Sequence, residues 1–95
     1  MKTFKDLKFE PHQFDGLQAR MYFPNGYGIS VVRFKIMGSS GYGSYTSNDK
    51  EWEIAVIKGD KGGWGLCYDT PITDDVIGYL TARQVTSVMK QIQEL

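Results

Sequence analysis

The chain has 95 residues, 41% hydrophobic and 23% charged, the balance of one globular domain rather than of a disordered tail. Its 11 Lys and Arg are matched by 11 Asp and Glu. The resulting zero net charge argues against a general nucleic-acid binder, which needs excess cation to displace counterions from phosphate. It leaves a local basic patch open and makes self-association a reasonable secondary expectation. Cys67 is the single cysteine and His12 the single histidine, so an intramolecular disulfide, a Cys-rich zinc site and a His-rich metal site are all excluded. No metal or cofactor is expected.

In chain order, Met1 to Leu7 lacks the apolar run of a signal peptide, and no later stretch is long enough to span a membrane. A reducing cytoplasm is the expected location. Thr3 can cap one short helical turn with Phe4 and Leu7 turned inward, and Lys8-Phe9-Glu10 reads as a short edge strand stopped by Pro11. Leu17 to Phe23 alternates, with Leu17, Ala19, Met21 and Phe23 on one face. Pro24-Asn25-Gly26-Tyr27 then supplies an Asn-Gly pair suited to a two-residue type I′ turn, followed by a strand over Ile29–Ile36.

Such a turn predicts a register. Phe23 faces Gly28, Met21 faces Ser30, Ala19 faces Val32 and Leu17 faces Phe34 on the core side. Tyr22 with Ile29, Arg20 with Val31 and Gln18 with Arg33 form the other side. A slip of one residue would turn Arg33 and Lys35 toward the core, at an expected cost in buried charge.

Met37 to Lys50 is rich in Gly and Ser and reads as a loop, longer than most hairpin connections. Glu51–Ile57 reads as a strand with Trp52, Ile54 and Val56 on one face. Lys58–Gly63 is a turn, and Trp64–Asp69 is the returning strand. Thr70–Asp75 breaks the sheet, with a short turn through Val76 and Ile77, and Gly78-Tyr79-Leu80 leads into the last element. That element is a helix. Thr81 and Gln84 fit a capping box, and Val85, Val88, Met89, Ile92 and Leu95 form one apolar stripe. The expected fold is therefore α+β: about four antiparallel strands from two hairpins, with the C-terminal helix packed across one face. The order of the hairpins in the sheet is not fixed by these signals.

The chemistry-bearing residues do not assemble a catalytic set. Nucleophilic catalysis by Ser or Cys usually needs a positioned His, and His12 lies alone beside Pro11. Asp69, Asp74 and Asp75 lack the spacing of a calcium loop and read as turn and capping charge. Cys67 reads as a small buried hydrophobe. An enzyme is not expected.

Two features remain. The Gly-rich loop offers Gly38, Ser39, Ser40, Gly41 and Gly43 as a backbone cradle for an anionic ligand such as a nucleotide. It matches neither dinucleotide nor P-loop spacing, and no Lys closes it onto a helix. The aromatic residues are more numerous than a small core can bury, and Tyr and Trp on loops supply rigid contact area for a protein partner. Tyr42, Tyr45 and Trp64 are the candidate anchors.

The runs Phe23–Arg33, Trp52–Val56 and Tyr68–Thr81 resemble a family of small uncharacterised bacteriophage and prophage proteins. The likeness extends from about Leu7 into the C-terminal helix, and its most specific stretch ends in Gly78-Tyr79-Leu80-Thr81. The Gly/Ser loop before Trp52 is longer than the family pattern. The resemblance brings no catalytic or binding residues with it. It implies a phage setting, in which small accessory proteins commonly bind a host or defence protein stoichiometrically in the bacterial cytoplasm. A signalling-nucleotide sponge and a minor virion component are the alternatives.

Overall fold

The computed structural model describes residues 1–12, 16–36, 41–48, 50–60, 63–66 and 76–95; at 12, 59, 60 and 63–66 it describes the backbone only. Phe4–Asp6 forms a single 3-10 turn, and Leu7 beyond it is buried, as the Thr3 cap implies. The strands are β1 (Glu10–His12), β2 (Gly16–Tyr22), β3 (Tyr27–Arg33), β4 (Trp52–Asp60), β5 (Gly63–Leu66) and β6 (Ile77–Leu80), followed by α1 (Ala82–Gln93). All pairings are antiparallel, in the order β1-β2-β3-β4-β5, with β6 also paired to β4.

Six strands occupy five positions. β5 pairs with β4 at Ile57–Asp60, and β6 pairs with the same edge of β4 at Trp52 and Ile54. The α+β class and the helix across one face are as expected, while the sheet is five positions wide rather than about four strands. The two hairpins join side by side through β3 and β4.

Pro11 does not stop β1 but lies inside it, opposite Leu17. Phe23 N–H donates to Tyr27 O at 2.8 Å, so the odd-numbered residues of β2 bond toward β3 and the even-numbered ones toward β1. Pro11 therefore falls where β1 owes its neighbour no N–H, and its ring nitrogen turns to the outer edge. This is the position in a sheet where proline is tolerated.

The first hairpin departs from the expected register by one residue. Leu17 opposes Arg33, Ala19 opposes Val31 and Met21 opposes Ile29. The turn uses three residues, Pro24-Asn25-Gly26, with Gly26 at φ +89° and its N–H on Phe23 O at 3.1 Å. A left-handed glycine closing a three-residue loop is the other common hairpin solution. The slip exchanges Ser30 and Val32 for Ile29 and Val31 on the core face, and both of the latter are fully buried. Arg33 does turn to that face. Its guanidinium carbon lies 4.1 Å from the centre of the Trp52 ring, so the cation is held on an aromatic surface at the margin of the core. Lys35 lies beyond the end of β3.

The core lies between this face and α1. Ala19, Phe23, Ile29, Val31, Trp52, Ile54 and Val56 meet Val85, Val88, Met89 and Ile92. The capping box at Thr81 is present, with Thr81 N–H on Gln84 Oε1 at 2.9 Å and Gln84 N–H on Thr81 Oγ1 at 3.3 Å. Leu95, read as the end of the apolar stripe, lies past α1 and is 37% exposed. The N-terminal segment lids the far end of the core: Phe9 stacks on Trp52 at 4.5 Å and Phe4 tilts against both rings. Phe4 N–H donates to Thr86 Oγ1 at 3.0 Å, and Gln93 bonds both the N–H and the carbonyl of Lys2. Ser30, Ala55 and Ile57 are buried on the opposite face, which the alternation of β4 alone did not indicate.

The second hairpin is tighter than expected. β4 runs through Lys58-Gly59-Asp60, and Asp60 opposes Gly63, so only residues 61 and 62 separate the strands. The readings of Cys67, Tyr68 and Thr70–Asp75 lie outside the described residues. Ile77 belongs to a strand rather than to a turn, and Gly78-Tyr79-Leu80 continues that strand.

Candidate functional site

The site is built on an irregularity in β6. Trp52 opposes Leu80, whereas Ile54 opposes Ile77. Glu53 alone therefore faces two residues, Gly78 and Tyr79, which is a β-bulge. Tyr79 adopts φ +60°, the left-handed region. For a residue with a Cβ this conformation costs about 1–2 kcal/mol, and it persists only where its surroundings enforce it.

The enforcing element is the segment between β3 and β4. Residues 41–48 fold back onto the end of β3 as a strap. Lys35 and Tyr42 form an isolated antiparallel bridge, Ile36 N–H donates to Gly41 O at 2.9 Å, and Gly43 N–H donates to Phe34 O at 3.0 Å. Ser44 Oγ accepts from Phe34 N–H at 3.1 Å and lies 3.2 Å from Phe34 O and 3.0 Å from Thr46 Oγ1. Ser44 and Thr46 are buried, so a small polar knot pins the strap. Beyond it Glu51 accepts from Ser47 N–H at 2.9 Å and from the Ser47 hydroxyl. The Ser47 hydroxyl first, and then its N–H, hold the Glu51 carboxyl below its ordinary range.

Strap and bulge lock together at Tyr45. Tyr79 N–H, turned out of the ladder by the bulge, donates to Tyr45 O at 2.7 Å. Tyr45 N–H reaches Glu53 Oε1 at 3.4 Å. Gly78 lies directly beneath: a Cβ built there would fall 2.3 Å from Tyr45 Cβ and 2.6 Å from Tyr45 O. Only glycine permits that approach. The result is a fixed backbone platform from which two phenol rings project, Tyr45 at 55% exposure and Tyr79 at 56%. Ile36, also exposed, and half-buried Tyr42, with Lys35 Nζ 6.0 Å from its ring centre, flank the strap.

The candidate anchors therefore separate. Tyr42 and Tyr45 share the strap. Trp64 pairs with Gly59, six residues along β4 from Glu53, which at about 3.3 Å per residue is roughly 20 Å away. Its side chain lies outside the described residues. Beside Tyr45 the structure brings Tyr79, also exposed, as a further candidate, and an aromatic immediately after a glycine in the weakly patterned Ile77–Leu80 run was the available signal. Of the candidate anion cradle, Gly38, Ser39 and Ser40 lie outside the described residues. Gly41 supplies a carbonyl to Ile36, and Gly43 makes room for the Phe34 ring, whose Cε2 a Cβ would meet at 2.8 Å. Close packing accounts for Gly43 without a ligand.

Among the described residues no three His, Cys, Asp or Glu side chains gather as a metal site, and no helix is long and apolar enough to cross a membrane. No buried side-chain nitrogen or oxygen among them lacks a hydrogen-bond partner. Comparison of the chain with protein-family models, with curated proteins and with solved structures found no match in any of the three.

Proposed function

We propose that this chain is a small binding module that grips a protein partner through the Tyr45–Tyr79 platform. Given the phage-type resemblance of its sequence, the partner is a host protein of the bacterial cytoplasm, possessed of a defence or housekeeping role, which the module inhibits or modulates by stoichiometric capture. The supporting observation is Tyr79: a large aromatic in the left-handed conformation, more than half exposed, with its backbone fixed against Tyr45. Packing gives no reason to keep a tyrosine where glycine would be easier. Contact with a partner does, because rigid aromatic anchors bind with little loss of side-chain entropy.

The test is co-purification from the bacterial host, read by native mass spectrometry, with the parent chain and a Tyr45→Ala/Tyr79→Gly variant. The parent carries a stoichiometric second protein and the variant, still folded by circular dichroism, does not. Equal capture by both chains overturns the assignment of the platform. A parent that carries only a small added mass favours a ligand sponge instead.

A further inference from the structure

We infer that Asn25 is a deamidation site whose reaction is gated by folding. Asn25 is followed by Gly26, and glycine leaves the attacking backbone nitrogen unhindered. In the reaction the Gly26 amide nitrogen loses its proton and bonds to Asn25 Cγ. The Cγ–Nδ2 bond breaks, and ammonia leaves with that proton. Water then adds to one of the two carbonyls of the succinimide ring and opens it, leaving Asp or isoaspartate at position 25.

The fold opposes each part of this step. Gly26 N–H donates to Phe23 O at 3.1 Å, so the attacking nitrogen is engaged. The leaving nitrogen, Asn25 Nδ2, donates to Ile92 O at 2.9 Å and to Leu95 O at 3.4 Å, at the C-terminal end of α1. Oδ1 accepts from Tyr27 N–H at 3.1 Å, which fixes the remaining freedom of the amide. Ring closure requires the Gly26 and Nδ2 bonds to break together, which means lifting the hairpin turn off the helix end. The reaction therefore proceeds through opened chains.

The product also does not return to the same state. A carboxylate at Asn25 has no proton to give the Ile92 and Leu95 carbonyls, and it faces the negative end of the α1 macrodipole. Isoaspartate in addition lengthens the turn backbone that sets the β2–β3 register. A chain that has opened for long enough is thus chemically marked, with its turn detached from α1.

The experiment incubates the full chain at neutral pH and one temperature in native buffer, in intermediate urea and in fully denaturing urea. Conversion is read as the amide-to-acid mass increase of the peptide containing Asn25. The rate in native buffer is at least about tenfold below that in full denaturant and rises with the opened fraction. Rates within about twofold of each other overturn the gating. Gly26→Ala in denaturant slows conversion, and an unchanged rate overturns attack by the Gly26 nitrogen. Asn25→Asp, standing for the product, melts below the parent or fails to fold; an unchanged melting temperature overturns the marking.

Discussion

Replacing Gly78 by alanine places one methyl group where the platform has no space for it. That Cβ would meet Tyr45 Cβ at 2.3 Å and Tyr45 O at 2.6 Å. Neither atom is the end of a flexible side chain, so the strap itself must move. Overpacking of this kind costs about 1–3 kcal/mol. Loss of the 2.7 Å bond between Tyr79 N–H and Tyr45 O adds about 1 kcal/mol. Together these come to about 2–4 kcal/mol, and at ~4–8 °C per kcal/mol for a domain of this size the melting temperature falls by roughly 8–30 °C. Gly26→Ala is the comparison: Gly26 sits at φ +89°, where glycine is favoured for its conformation, but a Cβ there meets nothing within 4 Å. It carries only the conformational cost of about 1–2 kcal/mol. Thermal unfolding by circular dichroism measures both, and amide exchange at Tyr79 reports the broken lock. A Gly78→Ala melting temperature no lower than that of Gly26→Ala refutes the seating of the strap on the bulge.

Arg33→Ala removes the cation from the Trp52 face, lowering stability by about 1 kcal/mol and shifting tryptophan emission; parent-like urea unfolding and emission would contradict the stacking. Asp6 and Glu51 set part of the acid limb. Thr3 N–H donates to Asp6 Oδ2 at 2.8 Å and holds that carboxyl below its ordinary 3.8, while Ser47 holds Glu51 below its ordinary 4.5. A depressed folded-state pKa contributes stability that is complete above the unfolded value and lost as pH falls through the folded one. Stability therefore declines as pH drops below about 4.5. Glu51→Gln flattens that decline in urea midpoints measured from neutral to acid pH, and an unchanged slope contradicts the Ser47 contact.

The α+β class, the strands β2, β3 and β4, and α1 with its cap were legible because each is a local pattern of period two or 3.6 with a matching terminator. The register was not. Pro24-Asn25-Gly26 supports either a two-residue or a three-residue loop, and the choice depends on which face α1 covers. The penalty assigned to Arg33 on the core face omitted Trp52, which no local rule places beside it; they meet because β3 and β4 are neighbours. β6 escaped notice because a bulge needs no alternation. Gly78 and Tyr79 together oppose Glu53, so the period that betrays a strand is broken there. For the same reason Tyr45 was legible as an exposed loop aromatic and Tyr79 was not.

Gly78 and Tyr79 sit side by side under opposite rules. Gly78 is where a side chain is forbidden, and glycine is present. Tyr79 is where glycine is conformationally favoured, and a large side chain is present. The first satisfies the fold; the second works against it, and no burial offsets the difference, since the ring is more than half exposed. Sequences violate local preference chiefly where function takes precedence, and the outlier at Tyr79 supports the proposed contact role. Substitutions at the two positions have opposite effects on stability. Relief of about 1–2 kcal/mol of backbone strain, less about 0.5–1 kcal/mol for the added freedom of the unfolded chain, leaves Tyr79→Gly neutral to slightly stabilising. Gly78→Ala destabilises. Both weaken partner capture, one by removing an anchor and the other by displacing the platform that aims it. A purely structural role for Tyr79 would instead tie capture to stability in both variants.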